Sequence, residues 1–96
     1  MGTIAFTQYM LPNGRQVPVK IDRPAPIAEK AEAIIKAGFR FECEMLGDMR
    51  TVSLTITDPQ EGDLDIEVVP NGPEVPVAID RMIDRFPLPS SETNQL

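Results

Sequence analysis

Apolar and polar side chains alternate with a period of two through most of residues 39–69. Phe39, Phe41, Cys43 and Met45 alternate with Arg40, Glu42 and Glu44. Val52, Leu54 and Ile56 alternate with Thr51, Ser53, Thr55 and Thr57, and Leu64, Ile66 and Val68 with Asp65 and Glu67. Successive side chains on a strand point to opposite faces, so each run predicts a half-buried strand. Joined by short turns, the three runs predict an antiparallel meander with one apolar face and one face of carboxylates and hydroxyls. On this reading Glu42, Glu44, Asp65 and Glu67 share the wet face, with the Thr and Ser row between them. That acidic face is the candidate partner-binding surface, exposed and left clear by the helices.

Upstream, residues 4–21 predict a hairpin turned at Asn13-Gly14, two residues that tolerate positive φ, with Pro12 presetting the entry. On its return strand Val17, Val19 and Ile21 alternate with Gln16, Pro18 and Lys20. Pro18 cannot donate to a ladder, which places this strand at a sheet edge or a bulge. A helix then opens at Pro24-Ala25-Pro26, since proline fits the first turn, where backbone N–H groups lack an intrahelical partner. Ile27, Ala31, Ile34 and Ile35 form its apolar face, Glu29, Lys30, Glu32 and Lys36 its polar one, and Gly38 ends it. After the meander, Pro70-Asn71-Gly72-Pro73 predicts a turn, and Val75, Ile79, Met82, Ile83 and Phe86 give a second amphipathic helix that Pro87 stops.

The predicted fold class is α+β: a two-layer sandwich in the order β-hairpin, α, three-stranded antiparallel meander, α, with both helices on one face of the sheet. Residues 1–87 form its single domain. Residues 88–96 have little to bury and are expected to be a disordered tail.

Composition narrows the function classes. The chain has 96 residues and a net charge of −6, and the charge is divided along its length. Residues 1–40 carry an excess of bases, whereas residues 41–74 hold nine acids against Arg50 alone. Such a surface repels phosphate, so direct nucleic-acid binding is not expected. No apolar run reaches the length of a membrane span and no signal-peptide pattern opens the chain, so no membrane association is expected. The single cysteine, Cys43, has the inward parity of Phe41 and Met45. It reads as a buried, inert, reduced thiol in a cytoplasmic protein.

Catalytic chemistry has little to work with. There is no His, no Trp and no glycine-rich phosphate loop, and Cys43 has no histidine to make its thiolate. Glu42 and Glu44 have the i,i+2 spacing of an acid/base pair, but so does any exposed acidic strand. Asp58, Glu61, Asp63, Asp65 and Glu67 supply oxygen ligands for Ca²⁺ or Mg²⁺, yet their spacing fits no EF-hand loop. The expected cofactor content is none, the metal content none, and the chain is not expected to be an enzyme.

One internal match stands out. Residues 12–23, PNGRQVPVKIDR, recur as residues 70–81, PNGPEVPVAIDR, identical at nine of twelve positions. A duplicated docking segment is one reading and a turn chemistry reached twice is the other. The copies are predicted as strand first and helix second, which argues against a structural repeat.

The order helix, three antiparallel strands, helix over residues 24–86 resembles the double-stranded-RNA-binding domain in architecture. That family opens its second helix with lysines, where this chain has Glu74-Val75-Pro76-Val77, so the resemblance does not imply RNA binding. At sequence level, Phe39-Arg40-Phe41-Glu42-Cys43-Glu44-Met45-Leu46 and Pro70-Asn71-Gly72-Pro73-Glu74-Val75-Pro76 resemble segments of small bacterial and phage proteins without a characterised activity. The expectation is a small acidic binding or regulatory protein that acts through its surface on a protein partner, another copy of itself included. The alternatives are an acidic mimic of nucleic acid that inhibits a DNA-binding protein, and a divalent-metal-dependent activity.

Overall fold

The computed structural model describes residues 2–10, 15–48 and 50–87. The predicted Asn13-Gly14 turn and the tail at 88–96 therefore lie outside the described residues. The first two strands, β1 (Gly2–Met10) and β2 (Arg15–Arg23), pair antiparallel with Ile4 opposite Ile21 and Phe6 opposite Val19. Helix α1 (Ala25–Lys36) follows, then β3 (Arg40–Met45), β4 (Thr51–Asp58), β5 (Gly62–Pro70) and helix α2 (Glu74–Arg85).

The five strands form one mixed sheet in the order β2-β1-β3-β4-β5. The result is an α+β fold, but hairpin and meander are not the separate pieces that local pattern implies. β1 lies parallel to β3, with Thr7 opposite Glu42 and Tyr9 opposite Glu44. β3, β4 and β5 then pair antiparallel in sequence order. Pro18 sits on β2, which is an edge strand, as its missing N–H requires.

Each helix end has a local cause. Pro24 caps α1, and the backbone leaves it at Gly38, whose φ of 107° is a conformation that suits glycine. The Phe39 N–H donates to the Ile34 carbonyl and the Gly38 N–H to the Ile35 carbonyl, which closes the last turn and delivers the chain to β3. Ala28, Ala31 and Ile34 are buried beneath α1. Ile35, expected on that face, is 40% exposed, because two adjacent helix positions are 100° apart and Ile34 takes the inward one.

One core cluster joins sheet and helices. Ile4, Phe6, Phe41, Cys43, Val52, Leu54, Ile56 and Val69 meet Ala28, Ala31 and Ile34 of α1 and Ala78, Ile79, Met82 and Ile83 of α2, with Phe86 at its end. The Phe6 and Phe41 rings lie 5.2 Å apart across the β1–β3 junction. Cys43 is buried, and that burial pushes its thiol pKa up, which keeps it protonated. Polar contacts tie the first half of the chain to the second: Arg23 donates from Nε to Asp80 Oδ1 at 2.8 Å, and Lys30 donates to the Asp84 carbonyl at 2.9 Å.

The fold places the two copies of the internal match in different secondary structure. Val17-Pro18-Val19-Lys20-Ile21-Asp22-Arg23 is strand, within β2, and Val75-Pro76-Val77-Ala78-Ile79-Asp80-Arg81 is helix, within α2. Six of the seven residues are the same in the two copies. The Arg23–Asp80 pair joins the end of one copy to the other.

Candidate interaction surface

Register decides which strand side chains face the helices. Phe41, Cys43 and Met45 stand opposite Ile56, Leu54 and Val52, and these in turn stand opposite Asp65, Glu67 and Val69. Directly opposed residues share a face. Asp65 and Glu67 therefore point toward the helices, and the opposite face carries Glu42 and Glu44, then Thr55, which is buried, and Ser53, then Ile66 and Val68. The acidic face expected from Glu42, Glu44, Asp65 and Glu67 is thus not one face. It is split across the two sides of the sheet.

Alternation on β5 is present as expected, but its phase is the reverse. Leu64, Ile66 and Val68, expected inward, are 41%, 53% and 54% exposed. Part of the cause is a bulge: Thr57 pairs with Asp63 and Ile56 with Asp65, which leaves Leu64 as an extra residue. A shift of one residue turns every following side chain over. The other part is what α2 presents above this strand.

Arg81 and Arg85 of α2 reach down onto β5. Arg81 donates to both Glu67 carboxylate oxygens, at 2.9 and 3.2 Å, and Arg85 clamps Asp65 at 2.7 and 2.9 Å. Arg85 also donates to Glu67 at 2.6 Å, so Glu67 is held by two guanidinium groups. The spacing explains the fit. Residues i and i+2 on a strand are about 6.7 Å apart, and i and i+4 on a helix about 6 Å, so two acids and two arginines line up as facing rows. The Arg81 hydrogen bonds, aided by those of Arg85, hold the Glu67 carboxyl at about 2, well below the usual carboxylate range. The paired carboxylates raise the Arg85 guanidinium further, Asp65 most. The signal in the sequence was Arg81 and Arg85 at i,i+4 on the helix that follows an Asp-x-Glu strand.

This network predicts a pH dependence with a definite sign. A carboxyl whose pKa is lowered by folding stabilises the folded state fully above its unfolded value, and that contribution is lost as the proton binds. For Glu67 the window runs from about 4.5 down to about 2. The thermal midpoint of the unaltered protein is expected to fall more steeply across that window than that of Glu67→Gln. At neutral pH, Glu67→Gln should cost ~1 kcal/mol in urea unfolding, since the arginines are half exposed. Glu42→Gln with Glu44→Gln should stay within ~0.5 kcal/mol. Equal slopes for Glu67→Gln and the unaltered protein would contradict the pairing.

Glu42, on the face opposite Asp65 and Glu67, accepts from Arg40 at 2.8 Å, and Glu44 is exposed. Of the remaining acids singled out as metal ligands, Glu61 and Asp63 are exposed and only Asp58 is held by a contact among the described residues. Asp58 accepts from the Gln60 N–H in the β4–β5 turn. Asp48 accepts from the Arg50 and Thr51 N–H groups, which lower its pKa together with the Thr51 hydroxyl. Among the described residues, no group of three or more His, Cys, Asp or Glu is arranged to hold a metal ion. None of the described helices is long and apolar enough to cross a membrane.

At the end of the sheet a cleft of about 630 Å³ opens beside Phe39, Leu64, Phe86 and Pro87, with Asp58 and Glu61 also lining it. Phe39 and Phe86 meet edge to face across 5.3 Å at its base. No family model, curated protein or solved structure matches the chain.

Proposed function

We propose that this chain is a small binding protein that acts on a protein partner through the open face of its sheet, without catalysis of its own. The reading takes the molecule as a two-layer sandwich with the helices on one side and the binding surface on the other. One observation carries it. β5 turns its two acids inward to arginines and leaves Ile66 and Val68, with Leu64, exposed. A strand that satisfied only its own fold would do the reverse, so the exposed aliphatic row needs a use, and exposed apolar patches mark interaction sites. Beside it Thr51 and Ser53 of β4 and the carboxylates of Glu42 and Glu44 supply a polar rim, while Thr55 and Thr57 of the same row are buried. The neutralisation of Asp65 and Glu67 counts against a surface that imitates a row of phosphates.

The test is retention of a native-host partner on the immobilised full chain. Ile66→Ser with Val68→Ser should abolish it at unchanged fold. Glu42→Gln with Glu44→Gln should weaken it and flatten its salt dependence. A partner retained by the serine variant, or displaced by DNA alone, would overturn this surface as the site.

A further inference from the structure

The two edges of the sheet are built differently. β2 carries Pro18 in mid-strand, with Lys20 exposed beside it, the devices that keep an edge from pairing with another strand. β5 is nine residues long, has no lysine, and holds its one proline at the last position. Its bulge lies at Leu64, near the start, and leaves residues 65–70 regular. Among the described residues no strand pairs with its outer side, and no side-chain hydrogen bond ends on its backbone. Among the described residues, three of the six exposed large hydrophobic residues stand on this strand.

We infer that β5 pairs antiparallel with β5 of a second copy of this chain, which joins two five-stranded sheets into one. The inference rests on the binding-surface reading above and names its partner. Symmetry selects the register. With Ile66 opposite Ile66 of the second copy, the two isoleucines meet at the axis on the open face with Val68 of each copy beside them, and Leu64, the bulge residue, lies at the end of the paired stretch. A two-fold axis normal to the sheet keeps both open faces on one side, so the patch is self-complementary.

Charge on the other face permits the same pairing. Asp65 then meets Glu67 of the second copy, but each copy brings Arg81 and Arg85 to these two acids, so residues 65–70 carry no uncompensated charge, and Asp63 lies beyond them on the far side of the bulge. Both arginines are nearly half exposed, at 49% and 44%, and can share the opposing carboxylates. Two chains of net charge −6 therefore meet along a stretch whose two acids are each paired with arginine.

One strand pair with a short aliphatic row lies at the small end of interface size, so association in the micromolar range is expected. Sedimentation equilibrium of the full chain from ~1 to ~300 µM should show the mass rise from 10.6 kDa toward a dimer. Ile66→Lys, which sets two like charges at the axis, should weaken association at least tenfold at an unchanged thermal midpoint. Val17→Lys on the β2 edge should leave it intact. In the unaltered protein, hydrogen exchange of β5 amides should slow as concentration rises, a readout independent of any variant's folding. A monomer at every concentration, a dimer that survives Ile66→Lys, or β5 exchange indifferent to concentration would overturn the inference. If the chain is monomeric yet Ile66→Ser with Val68→Ser still releases a foreign partner, self-pairing fails while the binding surface stands.

Discussion

Ala78→Lys is expected to leave the chain unfolded at room temperature, a loss on the order of 5 kcal/mol or more. Ala78 is fully buried where α2 meets the core, so a lysine there must take its ammonium into an apolar interior without a partner. What makes this substitution informative is its origin. Lysine is the residue at the matching position of the other heptapeptide copy, Lys20, where it is exposed on the edge strand. The one position at which VPVKIDR and VPVAIDR differ is therefore the one that forbids the first copy from being a buried helix. The reciprocal change, Lys20→Ala, should stay within ~0.5 kcal/mol. Circular dichroism and urea unfolding of both variants check the pair. A folded Ala78→Lys protein would mean that α2 does not seat through this face.

Phe41→Ala should cost ~3–5 kcal/mol. The ring is almost fully buried, stands opposite Ile56, and packs on Phe6 across the junction of the hairpin with the rest of the sheet. β1 and β3 pair over three residues only, Thr7–Tyr9 with Glu42–Glu44, so side-chain packing carries much of that junction. For a domain of this size the total is ~5–15 kcal/mol, and the thermal midpoint should fall by roughly 15–30 °C. A drop of less than about 5 °C in calorimetry would show that the junction does not depend on this ring.

How far the fold was legible depends on whether its cause is local. The α1 boundaries follow from Pro24 and Gly38, and the edge placement of β2 from Pro18, all of them backbone effects written in single residues. The contact of β1 with β3 is not written that way. Nothing in Thr7-Gln8-Tyr9 names Glu42-Cys43-Glu44 as its neighbour, because α1 and the shared core determine which strands lie side by side. The same applies to the acidic surface. Period-two alternation in β5 was plain, but its phase depends on what α2 lays over the strand. When that is Arg81 and Arg85 instead of an aliphatic pair, acids turn in and aliphatics turn out. Val69, buried at the end of β5, was the local sign of the true phase, since it shares parity with Asp65 and Glu67.

The near-identity of residues 17–23 and 75–81 also bears on how the chain reaches this fold. During folding β1 meets two segments able to place Val and Ile opposite Phe6 and Ile4, since the aliphatic positions that β2 uses for this pairing recur in α2. Distance along the chain separates them. Pairing with the first copy closes a loop over residues 11–14, and pairing with the second would close one over residues 11–72, roughly fifteen times longer and about 2 kcal/mol costlier in chain entropy. The first copy also leaves the ribosome earlier. A hairpin that closes within microseconds removes β1 from competition before the second copy is made, and the later segment is left to coil onto the core. Synthesis from the N-terminus thus works as a kinetic editor: refolding of the full-length chain from denaturant must resolve a mispairing that the nascent chain never meets.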